Sequence, residues 1–212
     1  MVRRNKLGHF EDLHGWDHVF EPRFDEELGL KGTWGEKVIL ELGCGQGAYT
    51  IALAERNPDT TVVGVDIKGA RMWHGARKAK DNLTNVRFLR TVIEDLERFF
   101  NENEVDEIWI TFPDPHPTKG KAKKRLTAER FLKIYEKILK PGGQVHLKTD
   151  YTPLYEWTKE TAPETGWEVT RDVFDVYAPD VIDELLHIKT PFERRHLAKG
   201  LTIHCVSLGF QS

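Results

Sequence analysis

Three glycines stand at alternate positions in Glu41-Leu42-Gly43-Cys44-Gly45-Gln46-Gly47, between the apolar run Val38-Ile39-Leu40 and a helical stretch. Glycine carries no Cβ, so such a turn can bend through conformations closed to other residues and let a ligand approach the main chain. A turn of this kind joins a buried strand to a helix, which commits the chain to β-α units.

The remaining sequence keeps that alternation. Strands are expected over residues 38–42, 61–65, 86–91, 107–112, 144–149, 167–176 and 201–208, and helices over 49–56, 71–81, 127–139 and 151–161. Thr127 is expected to cap its helix, and Pro141-Gly142-Gly143 to form a turn. The expectation is an α/β fold with a mostly parallel seven-stranded sheet and helices on both faces. Residues 1–34 show weak periodicity and read as an irregular N-terminal arm, ahead of one domain over 35–212.

Composition narrows the function classes. The chain is 39% hydrophobic and 31% charged, and no stretch approaches the roughly 20 apolar residues of a membrane span. The basic start, Met1-Val2-Arg3-Arg4-Asn5-Lys6, lacks the apolar core of a secretory signal, so no membrane and a cytoplasmic location are expected. Cys44 and Cys205 are read as reduced thiols. The nine histidines show no metal-ligand spacing, so no metal is expected. A net charge of −3 disfavours indiscriminate nucleic-acid binding but leaves room for a local basic surface. Composition leaves monomer and homodimer equally open.

The glycine turn and Asp66, nineteen residues beyond Gly47, together suit a nucleoside-bearing ligand. A carboxylate at the end of the second strand accepts hydrogen bonds from ribose hydroxyls in such folds. Gly43, Gly45 and Ala48 also satisfy the looser pattern that grips a dinucleotide pyrophosphate. Glu41 tips the choice, because a carboxylate suits a cationic sulfonium and amino acid better than a pyrophosphate. The expected cofactor is S-adenosylmethionine.

Further motifs carry a family resemblance: Gly64-Val65-Asp66-Ile67-Lys68-Gly69-Ala70-Arg71, Phe112-Pro113-Asp114-Pro115-His116-Pro117, Lys123-Lys124-Arg125-Leu126, Lys148-Thr149-Asp150 and Thr190-Pro191-Phe192-Glu193. With the glycine turn, these make the chain resemble the bacterial tRNA (guanine-N(7)-)-methyltransferase family from about Lys6 to Leu208. The resemblance implies a Rossmann-like class I methyltransferase that methylates a guanine in the tRNA variable loop. It implies donor contacts from Glu41, Gly43, Gly45, Gly47, Asp66 and Asp114, with Asp114 also at the reaction centre. It further implies substrate contacts from Asp150 and from Thr190, Pro191, Phe192 and Glu193. Val92 stands where the family carries an Asp that contacts the donor adenine, leaving that contact to Glu94 or to backbone amides around Val92 and Ile93. His116 replaces a frequent Trp, and Thr118 replaces a substrate-contacting Lys, with Lys119 one step along.

The chemistry suits these residue types. N7 of guanine carries an in-plane lone pair and no proton, so attack on a methyl sulfonium needs positioning rather than a general base. Positive charge then moves onto the purine, where a fixed carboxylate stabilises it, the role expected of Asp114. Asp150, after the next strand, is expected to recognise the guanine edge. Lys119, Lys121, Lys123, Lys124 and Arg125 crowd after the Asp114 loop and are expected to meet tRNA phosphates, with Arg3, Arg4 and Lys6 extending that surface. Taken without the family, Thr190 and Glu193 read as a helix cap. Two alternatives stay open: a same-fold methyltransferase for a small-molecule or protein acceptor, and a non-catalytic RNA-binding protein.

Overall fold

The computed structural model describes residues 6–22, 26 and 28–210. Arg3 and Arg4 lie outside the described residues, as does the side chain of Lys6.

In chain order the elements are α1 (Lys6–His14), β1 (Val19–Phe20), β2 (Val38–Leu42), α2 (Ala48–Arg56), β3 (Thr61–Val65), α3 (Gly69–Ala79), β4 (Val86–Leu89) and β5 (Val105–Thr111). They continue with α4 (Glu129–Ile138), β6 (Leu139–Thr149), α5 (Thr152–Thr161), β7 (Trp167–Val173), α6 (Pro191–Leu197) and β8 (His204–Phe210). Short 3-10 turns occupy Ile93–Arg98 and Lys119–Lys124. The strands form one sheet in the order β1-β4-β3-β2-β5-β6-β8-β7. Strands β1 to β6 pair in parallel, and β8 runs antiparallel between β6 and β7.

The sheet thus has eight strands among the described residues, one more than expected, and the extra strand comes from the arm. Val19 and Phe20 pair with Phe88 and Leu89 of β4. Residues 6–14 form a helix rather than an irregular segment, fixed where His9 stacks on Trp73 at 4.1 Å and Trp73 Nε1 donates to Asp12 Oδ2 at 2.8 Å. Trp34 is buried and donates through Nε1 to the Phe99 carbonyl at 2.8 Å. The arm is therefore docked on the sheet, held by aromatic packing that local periodicity cannot display.

Every residue of β2 is buried, as expected for a central strand covered on both faces. Phe131, Leu132 and Tyr135 of α4 and Leu154 and Tyr155 of α5 fill one face. Tyr49 and Leu53 of α2 and Met72 and Ala76 of α3 fill the other, with Leu13 of α1. Thr127 does not cap α4; the cap position is Ala128, without a side-chain bond, and Thr127 Oγ1 instead meets Thr158 Oγ1 of α5 at 2.7 Å. No helix among the described residues is long and apolar enough to cross a membrane.

Candidate active site

Strand β2 delivers Glu41 to the carboxyl edge of the sheet, where ligands of open α/β folds bind. Gly43, Gly45 and Gly47 follow in left-handed backbone conformations, with φ of 73°, 54° and 67°. A Cβ at Gly43 would meet nothing within 4 Å, so that stretch of the turn is open to a ligand. Gly47 differs. A Cβ there would lie 2.7 Å from Phe88, so its smallness serves packing inside the protein. Gly75 of α3 completes the arrangement, since a Cβ there would sit 2.7 Å from the Gln46 carbonyl. Nothing in the glycine motif pointed to Gly75, although a glycine inside a helix is itself a signal of close approach.

Glu41 is 2% exposed and lines a cavity of about 520 Å³ together with Gly43, Gly45, Thr190, Pro191 and Phe192. Its Oε2 accepts from the Thr50 amide at 2.7 Å and from the Thr50 hydroxyl, and its Oε1 accepts from Thr111 Oγ1 at 2.7 Å. Burial outweighs these bonds and pushes the carboxyl up to about 7. Asp66 lies at the end of β3, where Oδ2 accepts from the Gly45 amide and Oδ1 from the Lys68 amide, each at 2.8 Å. Next in the chain, Ile67 exposes its side chain, and with Val92 it lines a second cleft whose apolar surface suits a flat heterocycle.

Glu94 is not among the residues that line the cleft beside Val92. The 3-10 turn beginning at Ile93 rotates it away from the cleft, and it pairs with Arg130 of α4 at 2.6 Å. Asp95, which sequence reasoning missed, lines the cleft and pairs with Arg98 at 3.1 Å. Burial also drives the Cys44 thiol well above its ordinary range and Cys205 to about 12, so both stay protonated near neutrality.

Asp114 is exposed on the loop after β5 and does not itself wall the cavity. Phe112 and His116, on either side of it, have φ of 48° and 43°. Two non-glycine residues in the left-handed region within five positions mark a strained loop that the surroundings must hold. Arg125 does this. It is buried, with Nε donating to the Pro115 carbonyl at 3.3 Å, Nη2 to the His116 carbonyl at 3.2 Å, and its guanidinium 4.4 Å over Trp157. The sequence groups Arg125 with the RNA-contacting cations; in the structure it is buried, and its Nε and Nη2 donate inward to the loop. Thr118, Lys119, Lys121, Lys123 and Lys124 are exposed.

The late connection reaches the site through α6. Thr190 caps that helix by accepting from the Glu193 amide at 3.1 Å, as the local reading expected. Glu193 is fully buried and is not among the side chains that line the cavity. Its Oε1 meets Lys148 Nζ at 2.7 Å and accepts from Tyr177 Oη at 2.6 Å. Lys148, which was not singled out as a site residue, also donates to the carbonyls of Leu186 at 2.6 Å and Ile188 at 2.9 Å. Burial lowers its pKa, against the opposing pull of Glu193. Asp150 Oδ2 accepts from His196 Nδ1 at 2.6 Å, and Phe192 packs between His196, at 4.1 Å, and Phe112, at 5.1 Å. These contacts tie the Asp114 loop, the end of β6 and α6 into one assembly.

A family model described as "Putative methyltransferase" matches residues 35–206. Among curated proteins, a tRNA (guanine-N(7)-)-methyltransferase of Porphyromonas gingivalis is 45% identical, over 93% of this chain and 86% of its own. One from Cytophaga hutchinsonii is 38% identical over 99% of both chains. Among solved structures, the 16S rRNA methyltransferase KamB superposes with a TM-score of 0.66 at 18% identity, covering 91% of this chain and 95% of its own. A 30S ribosomal A1408 methyltransferase from an uncultured bacterium gives 0.59 at 17% identity, covering 99% and 96%. At these identities the structural matches speak to the class I methyltransferase fold.

Proposed function

Because the chain belongs to the tRNA (guanine-N(7)-)-methyltransferase family, we propose that it methylates N7 of a guanine in the tRNA variable loop, with S-adenosylmethionine as donor. The observation that carries the residue assignment is the cavity that joins Glu41 and the glycine turn to the Thr190–Phe192 segment beside the strained Asp114 loop.

The residues fit the donor chemically. Glu41 offers a buried carboxylate to the cationic amino group, Gly43 leaves space at the main chain, and Asp66 keeps lone pairs for ribose hydroxyls. Ile67 and Val92 supply apolar flanks for the adenine. When bound, the donor supplies an electrophilic methyl group on a positively charged sulfur.

The N7 lone pair forms the new N–C bond, the C–S bond breaks, and its electron pair stays on sulfur; no proton moves. The chain's work is positioning and charge stabilisation. Asp114, held on its loop through Arg125, stabilises the positive charge arriving on the purine. Asp150, oriented by His196, retains lone pairs to accept from the ring N–H and amino group of guanine. Lys119, Lys121, Lys123 and Lys124 meet RNA phosphates.

The test is transfer from labelled donor to unmodified tRNA, followed by digestion to nucleosides. Label is expected in 7-methylguanosine, with Asp114→Asn slower by roughly 100- to 1000-fold, the usual loss of one transition-state charge stabiliser. Label in another nucleoside, or none, refutes the reading.

A further inference from the structure

We propose a second RNA-binding surface on the opposite side of the sheet from the lysine cluster; it rests on the tRNA reading above. The cavity that holds Glu41 is bordered by Arg71 of α3 and Arg195 of α6, both exposed. Among the described residues, neither has a carboxylate within ion-pair distance. A groove of about 700 Å³ shares Gln46, Ala48 and Pro191 with this cavity and continues between α2, α3 and α6.

Exposed cations line the groove: Arg56, Lys78, Lys189 and Arg194. Among the described residues Glu55 is the one carboxylate in its lining, and it pairs with Lys78 at 3.4 Å between two exposed side chains, too loosely to neutralise the groove. Lys189 lies 4.5 Å over the Tyr177 ring, which sets its ammonium beside the groove while leaving its donors free for an anion. A chain with net charge −3 that gathers six cations along one cavity mouth and groove has concentrated a field there against its average.

The occupant is the sugar-phosphate backbone of the RNA that presents the target base. Its charges recur along an extended path, as these cations do, whereas a single small anion would engage one or two of them. The Lys119–Lys124 turn lies on the other side, since Arg125 next to it stacks on Trp157 of α5, whereas α2 and α3 pack on the opposite face. The RNA therefore straddles the carboxyl edge of the sheet, held on both sides of the base being methylated.

The test measures binding of unmodified tRNA by fluorescence anisotropy over a range of KCl concentrations. Lys189→Ala/Arg194→Ala and, separately, Arg56→Ala/Lys78→Ala are each expected to flatten the log Kd against log salt slope by roughly 0.7 to 0.9 per lost phosphate contact. Lys189→Arg/Arg194→Lys is expected to keep the wild-type slope. All six side chains are exposed, and melting temperatures check that the variants stay folded. Unchanged slopes in both neutralised proteins, with Lys123→Ala/Lys124→Ala flattening its own, overturn the groove alone. Absence of salt-dependent tRNA binding by the wild-type protein overturns the tRNA reading with it.

Discussion

With Glu41 as the proposed partner of the donor's cationic amino group, donor binding is expected to be proton-linked. Its carboxyl titrates at about 7 in the free protein because burial disfavours the charge, and the cationic amino group of the donor needs that charge. If only the ionised form binds, affinity should fall roughly fivefold from pH 7 to pH 6 and about tenfold for each further unit. Binding at pH 7 should release about half a proton, measurable by isothermal titration in buffers of different ionisation enthalpy. The free protein should respond in the opposite sense. A carboxyl raised from 4.5 to about 7 gives stability that is complete below 4.5 and lost as pH rises through 7, a loss of roughly 3 kcal/mol at about 1.4 per unit. Glu41→Gln keeps groups able to bond Thr50 and Thr111 without a charge. It should bind donor about 10- to 100-fold more weakly near pH 7.5, lose the pH dependence, and melt higher than wild type at pH 8. An affinity that stays flat from pH 6 to 7, with no proton released, refutes the assignment of Glu41 as the partner of the donor's cationic end.

Arg125→Ala should lower kcat by roughly tenfold or more, from the loss of charge-assisted bonds to the Asp114 loop, while leaving the salt slope of tRNA binding unchanged; a flattened slope would return Arg125 to the RNA surface. Lys148→Met strands Glu193 in a buried setting and should cost about 3 to 5 kcal/mol in chemical denaturation, with Lys148→Met/Glu193→Gln recovering much of it. A single variant as stable as wild type would show that the pair does not anchor the late connection. Gly75→Ala gains about 1 kcal/mol of helix propensity but forces a Cβ to 2.7 Å from the Gln46 carbonyl, so it should melt several degrees lower. A higher melting temperature would refute the close packing of α3 on the glycine turn.

The β-α unit that carries the proposed donor residues was legible because it is local. Strand β2, the glycine turn, α2 and Asp66 follow one another, and each announces itself by periodicity or by a residue type that only the turn requires. The arm was not legible, because β1 has two residues and draws its pairing from β4, nearly seventy positions away. Arg125 was hidden in a run of cations of which it alone is buried, and the ring that covers it belongs to α5. Lys148 lay unassigned in a family motif, because a lysine in a strand reads as an outward-facing residue until Glu193 supplies the partner that permits its burial. Glu94 and Asp95 are adjacent acids, and only the rotation of a 3-10 turn decides which one faces the cleft.

This division follows from what each half must do. A donor with a fixed shape can be held by consecutive residues, whose relative placement is set as soon as one β-α unit forms. An acceptor that is one base of a large RNA must be met by groups from separate elements, and their mutual distances depend on tertiary contacts. Arg125 fixes the Asp114 loop from the α5 side, Lys148 fixes the Leu186–Glu193 stretch from beneath, and Phe192 packs the two against each other through Phe112. None of these three need touch the reacting atoms. Their effect is to hold a loop that is strained at Phe112 and His116, which on the proposed reading sets Asp114 in place before the base arrives.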